Sequence, residues 1–171
     1  MKAIISERIN GGRFKMSDEI VALMQTFVQD SSWKAEAGGI LIGRHILDTL
    51  DIVVDSITVP MPGDCRGRYW FYRHRRGHQQ VMDTAWRKSC GTCTYLGEWH
   101  THPQPIPTPS FIDVHGWIRK LNLGTFVGES VFFVIVGLQA LGVWEGDKRG
   151  RRISHIGEFN LIRKDIHGAS G

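Results

Sequence analysis

Apolar residues recur along this chain with two periods, and the two divide it into helices and strands. Ile20, Leu23, Met24 and Phe27 stand at i, i+3, i+4 and i+7, the single stripe of an amphipathic helix. Ser17 and Asp18 offer caps, so a helix is predicted to about Gln29, covering one face of a sheet. HQQVMDTAWRKS predicts a second helix with Val81, Ala85 and Trp86 turned inward. FIDVHGWIRKLN predicts a third, capped by Ser110, with Phe111, Val114, Ile118 and Leu121 as its apolar side and Gly116 as a weak point. Between them lie short runs rich in Val, Ile and aromatics: GGILIGRHI, DIVVDSITV at 51–59, RYWFYR, TYLGEWHTH and VFFVIVG at 131–137. The first two are expected to form a hairpin through LDTL, and ALGVWEG to return antiparallel beside VFFVIVG. Helices thus alternate with hairpins, which predicts an α/β fold with a mixed sheet. No repeat or long linker divides the 171 residues, so one domain is expected over 1–171, with a loose tail from about Gly168.

Composition narrows the class. Hydrophobic content of 42% argues against disorder. The longest useful apolar run, SVFFVIVGLQALGVW, is broken by glycines and Gln139, which excludes a spanning helix. Glu7 and Arg8 follow the start too closely for a signal peptide, and a cytoplasmic protein is expected. Three cysteines do not make a disulfide framework. The formal charge of +4 is concentrated in RGRYWFYRHRRGH at 66–78 and KRGRR at 148–152. Such patches suit nucleic acid or an acidic protein, or are simply solvated. No nucleic-acid-binding motif accompanies them, so nucleic acid is not expected as the main partner.

The chemistry concentrates in EWHTHPQPIPTPS. Four of the six prolines fall at 103, 105, 107 and 109, after His100 and His102 and before Ser110 and Asp113. Each proline fixes φ and holds the preceding residue extended, which predicts a stiff spacer. Histidines two apart on a strand normally face opposite ways; both reach one ion only if the strand ends or twists between them. Ser110 and Asp113, three apart, share one face of a helical first turn. Two imidazoles and a carboxylate are a plausible zinc set with one open position, and an ion so held would activate water. Two surface histidines and an ordinary helix cap are the plainer alternative.

Glu36 in EAGGILIG, His100 and His102 in HTHP, seven intervening residues, then Ser110 and Asp113 in SFID together resemble the JAMM metalloproteases, the JAB1/MPN/Mov34 superfamily. The organisation from about 17 to 145 is compatible with that family, and short prokaryotic members carried in mobile elements and antiphage operons look closest. The resemblance implies a JAB/MPN-like domain whose mostly antiparallel sheet is flanked by helices, holding Zn²⁺ through His100, His102 and Asp113. It implies Glu36 as the proton-transferring base and Ser110 as a donor to the developing oxyanion, compatible with Ser110 also capping its helix. The implied activity is isopeptide or peptide hydrolysis after the C-terminus of a ubiquitin-like or similarly conjugated protein. The implied partner is a protein carrying a conjugate or C-terminal extension, a ubiquitin-like-conjugated nucleotide cyclase among the possibilities, with no membrane. A small-peptide or sulfur-carrier-processing hydrolase, or a non-catalytic metal-bound scaffold, are the alternatives.

Three features stay open at this level. Glu98 rivals Glu36, since on a strand it shares a face with His100 and could orient that ligand. Cys90 and Cys93 form CGTC, which reads as incidental thiols, a redox pair, or half a zinc knuckle with Cys65 and His74 or His78. The segment 66–78, Arg73, Arg75 and Arg76 above all, could seat an acidic substrate tail.

Overall fold

Strand pairing organises the molecule around the apolar run that starts at Val131. The computed structural model describes residues 3–124 and 126–161; the tail expected to be loose from about Gly168 lies outside the described residues. The chain runs β1 (Ile4–Glu7), β2 (Arg13–Met16), α1 (Asp18–Gln25), β3 (Gly38–His45), β4 (Ile52–Ile57), β5 (Cys65–Gly67) and β6 (Trp70–Tyr72). It continues through α2 (Arg75–Lys88), β7 (Thr94–Thr101), α3 (Phe111–Leu123), β8 (Ser130–Val136), β9 (Ala140–Asp147) and β10 (Arg152–Asn160). Eight strands form one sheet in the order β1-β2-β4-β3-β7-β8-β9-β10, and β5 pairs with β6 as a separate hairpin. Only β2–β4 and β7–β8 are parallel; the other pairs are antiparallel. The expected mixed, mostly antiparallel α/β sheet with flanking helices is therefore what forms.

Each face has its own core. On one, Val21 and Met24 of α1 pack with Phe14, Leu41, Leu96, Trp99, Phe132 and Val134. On the other, Trp117 and Leu121 of α3 pack on Val131, Phe133, Ile135 and Trp144, and Met82 of α2 on Ile40 and Ile42. The β8 run reads as continuously apolar because both its faces are covered. The two edge strands are managed by contact between them: the Ser6 hydroxyl donates to the Ile156 carbonyl. Nearby, the buried Arg8–Glu145 pair at 2.7 Å is completed by the Ile9 N–H donating to Glu145 at 3.1 Å, as a buried charge requires.

Several expectations are corrected. α1 ends at Gln25, short of Gln29, and Leu23 on its predicted stripe is exposed. Met82 and His78, not Val81 and Trp86, are the buried side of α2, although Ala85 does pack inward. In α3 the inward stripe is Trp117 and Leu121; Phe111, Val114 and Ile118 face outward. Asp113 lies one turn before Trp117, so it shares a face with the core anchors of α3. Of the expected apolar side of α3, Leu121 is the residue that is buried. The sheet also extends beyond 17–145, through β1, β2 and β10. Among the described residues no helix is long and apolar enough to cross a membrane.

Candidate metal centre

β7 and β8 are parallel, so the chain must cross over between them, and α3 is that crossover. Such a unit brings the N-terminus of the helix back to the carboxyl end of the strand. His100 and His102 stand at the end of β7, and Ser110 and Asp113 begin α3, so four of the five candidate residues meet. The strand ends at Thr101, with Trp99 and Thr101 buried in the opposite direction. His102 then turns back, its N–H held by the Val136 carbonyl at 2.9 Å. That is the strand ending required for both imidazoles to face one point.

Glu36 arrives from the neighbouring strand. Gly38 of β3 pairs with His100, and the Thr101 N–H donates to the Ala37 carbonyl at 2.8 Å. A Cβ at Gly38 would come within 2.6 Å of the Trp99 carbonyl oxygen and 2.7 Å of the Phe71 ring, so this strand passes close to both β7 and the β5–β6 hairpin. The β5–β6 hairpin fixes the glutamate's backbone: the Glu36 N–H donates to the Gly67 carbonyl at 2.7 Å, and Arg66 donates to the Glu36 carbonyl at 2.7 Å. All five candidates, Glu36, His100, His102, Ser110 and Asp113, are thereby brought together.

The nitrogen and oxygen positions decide which groups fit a metal. His100 Nε2 and His102 Nε2 are 3.1 Å apart. Asp113 Oδ1 lies 3.2 Å from His100 Nε2, and Asp113 Oδ2 lies 3.4 Å from His102 Nε2. Tetrahedral bonds of about 2.0 Å put neighbouring zinc ligands about 3.3 Å apart; the two imidazole nitrogens stand near that spacing, and the Asp113 carboxylate approaches each of them through a different oxygen. Glu36 offers a carboxylate oxygen within 4.8 Å of the two imidazoles, which lets it join them as a ligand or sit one water away. The group whose ligand atoms all lie within 4.8 Å of one another is Glu36, His100 and His102, and Asp113 is set against both imidazoles.

Environment tunes each group. Burial raises the pKa of Glu36 above the ordinary carboxylate value, partly opposed by His100 and His102. Burial would also raise Asp113, but hydrogen bonds from His100, His102 and Ser110 outweigh it and hold the carboxyl far below its usual range. For His102 burial lowers the pKa, and the hydrogen bond and charge of Asp113 reverse that to a net rise. Ser110 caps α3 in a reciprocal box: its Oγ accepts from the Asp113 N–H at 3.2 Å, while Asp113 Oδ2 accepts from the Ser110 N–H at 2.7 Å. The hydroxyl also donates to Asp113 Oδ2 at 2.6 Å. The helix cap and the orientation of the Asp113 carboxylate are thus set by the same hydrogen bonds.

The proline spacer is stiffened from outside as well as from within. The Gln104 carbonyl accepts from Leu138 N–H at 2.8 Å, and the Pro105 carbonyl from the N–H groups of Gln139 and Ala140 at 2.9 and 3.1 Å. A Cβ on Gly137 would stand 2.6 Å from the Gln104 carbonyl oxygen. Gly137 and Gln104 have no signal in the sequence; only the path of the β8–β9 turn reveals them.

Glu98 has a different place from the one expected. Its Oε1 accepts from Arg73 at 2.9 Å and Lys120 at 3.0 Å, tying β7 to the end of β6 and to α3. Arg66 and Arg68 donate to backbone carbonyls of 29–36, and of the five arginines in 66–78, Arg66, Arg75 and Arg76 are exposed. His78 is sealed with Asp64 and Thr58. Cys65 and Cys90 are exposed, and the Cys93 thiol donates to Asp55 at 3.6 Å. Among the described residues no cysteine joins a group of potential metal ligands.

Comparison with known proteins shows the family. Residues 21–149 match the family model described as prokaryotic homologs of the JAB domain. A protein of Pseudomonas aeruginosa named CD-NTase/cGAS isopeptidase is 39% identical over 69% of this chain and 75% of its own length. Proteins of the same name from Vibrio cholerae and Escherichia coli are 36% and 35% identical, over 79% and 76% of this chain and 81% and 78% of their own. Among solved structures, that of protein DSY2949 from Desulfitobacterium hafniense superposes with a TM-score of 0.56 at 20% identity, over 82% of this chain and 87% of that one, a likeness of fold.

Proposed function

This chain belongs to the prokaryotic homologs of the JAB domain, and on that premise we propose that it is a zinc-dependent isopeptidase. It hydrolyses the amide bond after the C-terminus of a ubiquitin-like or similarly conjugated protein. The observation that carries the reading is the convergence of His100, His102 and Asp113 at 3.1–3.4 Å, with the buried carboxylate of Glu36 alongside.

Two imidazoles and a carboxylate suit zinc, which when bound supplies a water of lowered pKa and polarises the scissile carbonyl. Glu36 takes the proton of the attacking water and returns it to the leaving amine. Burial raises its pKa, which brings it nearer the range in which a carboxyl both accepts and donates. Asp113 and the Ser110 cap hold the ligand geometry. The Ser110 hydroxyl, at the exposed edge of the site, is placed to turn from Asp113 to the carbonyl oxygen as negative charge develops there.

Two cavities of about 340 and 450 Å³ flank the centre and share Glu36, Phe71, Tyr72, Ile112 and Asp113. Both lie between the β5–β6 hairpin and α3, the larger at the first turn of the helix and the smaller along it as far as Lys120. An extended tail fits such a groove and a folded body does not, which restricts cleavage to bonds at flexible C-termini. The relatives' names support a CD-NTase as the conjugated protein, and so a role in an antiphage signalling system. The test is incubation with CD-NTase conjugates and C-terminal fusions, read by intact mass. Release of the intact protein, with turnover lowered about 10²–10⁴-fold in Glu36→Gln while zinc is retained, is expected. Digestion of unfolded protein without a preferred bond, or loss of zinc in Glu36→Gln, would overturn the reading.

A further inference from the structure

One side of the groove is more specific than a passage for backbone requires. Along α3, Ile112, Gly116 and Lys120 stand at i, i+4 and i+8 and line the smaller cavity in one row. Gly116 is in the middle of a thirteen-residue helix, where glycine costs stability relative to alanine. The fold does not ask for it: a Cβ there would meet nothing within 4 Å, and its φ is not positive. The glycine leaves a gap in the wall beside the metal centre that neither packing nor backbone geometry accounts for.

The far end of the same cavity is charged. Arg73 and Lys120 converge on the single oxygen Glu98 Oε1. A guanidinium has five N–H donors and an ammonium three, so one carboxylate oxygen leaves donors for a second anion. These three side chains sum to one positive charge, and the side chains of Arg73 and Lys120 keep 24% and 34% of their surface accessible.

We propose that this cavity is a substrate subsite, kept open by Gly116, that takes the side chain next to the scissile bond and favours an acidic residue over a basic one. The subsite rests on the isopeptidase reading given above. Gly116 is then a specificity-determining residue retained at a cost in helix stability, and the Arg73–Glu98–Lys120 bridge is the wall that senses charge.

The probe is a CD-NTase joined through its C-terminal tail to a fluorescent protein, with the residue on each side of the joint varied in turn to Glu, Ala and Lys. On one side of the joint, Glu should exceed Lys in kcat/KM by about fivefold, and Lys120→Gln should bring that ratio toward one. Gly116→Leu should keep its zinc and lose at least about tenfold in kcat/KM, mostly through KM. Gly116→Ala should melt about 2–4 °C higher than wild type, because nothing occupies the added methyl's position. A lower melting temperature in Gly116→Ala would make the glycine structural and overturn the proposal. So would wild-type kinetics in Gly116→Leu, or no preference between Glu and Lys on either side. Those failures leave the isopeptidase intact, because wild type still cuts the fusion. A wild-type protein that cuts neither fusion nor conjugate removes the isopeptidase reading and the subsite together.

Discussion

Two places in this molecule bring histidine, aspartate and a hydroxyl together, and only one of them is suited to catalysis. At the first, His78 donates from Nε2 to Asp64, 3.1 Å away, while its Nδ1 lies 2.6 Å from Thr58 Oγ1. That hydroxyl oxygen also accepts from the Ile40 N–H at 2.8 Å, and the histidine and aspartate side chains have no accessible surface. At the second, His100, His102, Asp113 and Ser110 face two cavities, and their ring nitrogens point at one another. The residue types are the same. The difference is satisfaction: in the sealed cluster every donor meets an acceptor, so it locks the 58–64 segment to α2. At the open site the imidazole nitrogens and a carboxylate converge at ligand spacing, and that convergence marks a centre for chemistry.

The largest expected effect tests the open site. Asp113→Ala should lose most of its zinc and essentially all turnover, since it removes both a ligand and the partner of the α3 cap. Metal analysis checks it: full zinc in Asp113→Ala would show that Glu36 completes the ligand set instead.

The sealed cluster should respond the other way, in stability and not in metal. His78→Ala leaves Asp64 buried without its partner and should cost about 3 kcal/mol in urea unfolding, with zinc content unchanged in the folded fraction. Its pH dependence has a defined sign. Burial lowers the pKa of His78 below 6.5. Burial pushes Asp64 up, but hydrogen bonds from the N–H groups of Met61 and His74 and from His78 outweigh it, so this pKa too is lowered. In both cases the unfolded chain binds protons more readily than the native state. The stability these groups contribute is therefore present above their unfolded values and lost as pH falls through the folded ones. Wild type should thus exceed His78→Gln in stability by less at pH 5 than at pH 7; a gap that widens on acidification would show that His78 is held as the cation.

A smaller effect is expected where the open site is braced. Gly137→Ala puts a methyl against the Gln104 carbonyl and should weaken zinc binding about tenfold through the displaced loop, measured by chelator competition. Unchanged affinity would mean that the prolines alone set the loop's path. Least of all, Phe111→Ser should alter stability by no more than about 0.5 kcal/mol, because that ring is 85% exposed. A large loss would return Phe111 to the core that its helical spacing suggested.

These contrasts separate what was legible in the sequence from what was not. The sequence alone determined the α/β class and the strands around GGILIG, IVVDSI, TYLGEWHT and VFFVIV, because period-2 runs are local signals; it put His100, His102, Ser110 and Asp113 forward through the His-x-His spacing and the helix cap, and Glu36 only through the family resemblance. It misassigned most of the inward side of α2 and α3, although Ala85 and Leu121 do pack inward. Both helices carry apolar residues on two faces, and only the strands they cross select Met82 over Val81 and Trp117 over Phe111. Strands β1, β2 and β10 are short or polar, and they pair only because neighbouring edges are there to receive them. Tertiary structure also decided the fate of the charges: Glu98 beside His100 in sequence became the anchor of Arg73 and Lys120, and His78 became part of the core. Both outcomes depend on partners 14 to 25 residues away or further along the chain, and a partner's presence, unlike a period or a cap, is written in no local stretch of sequence.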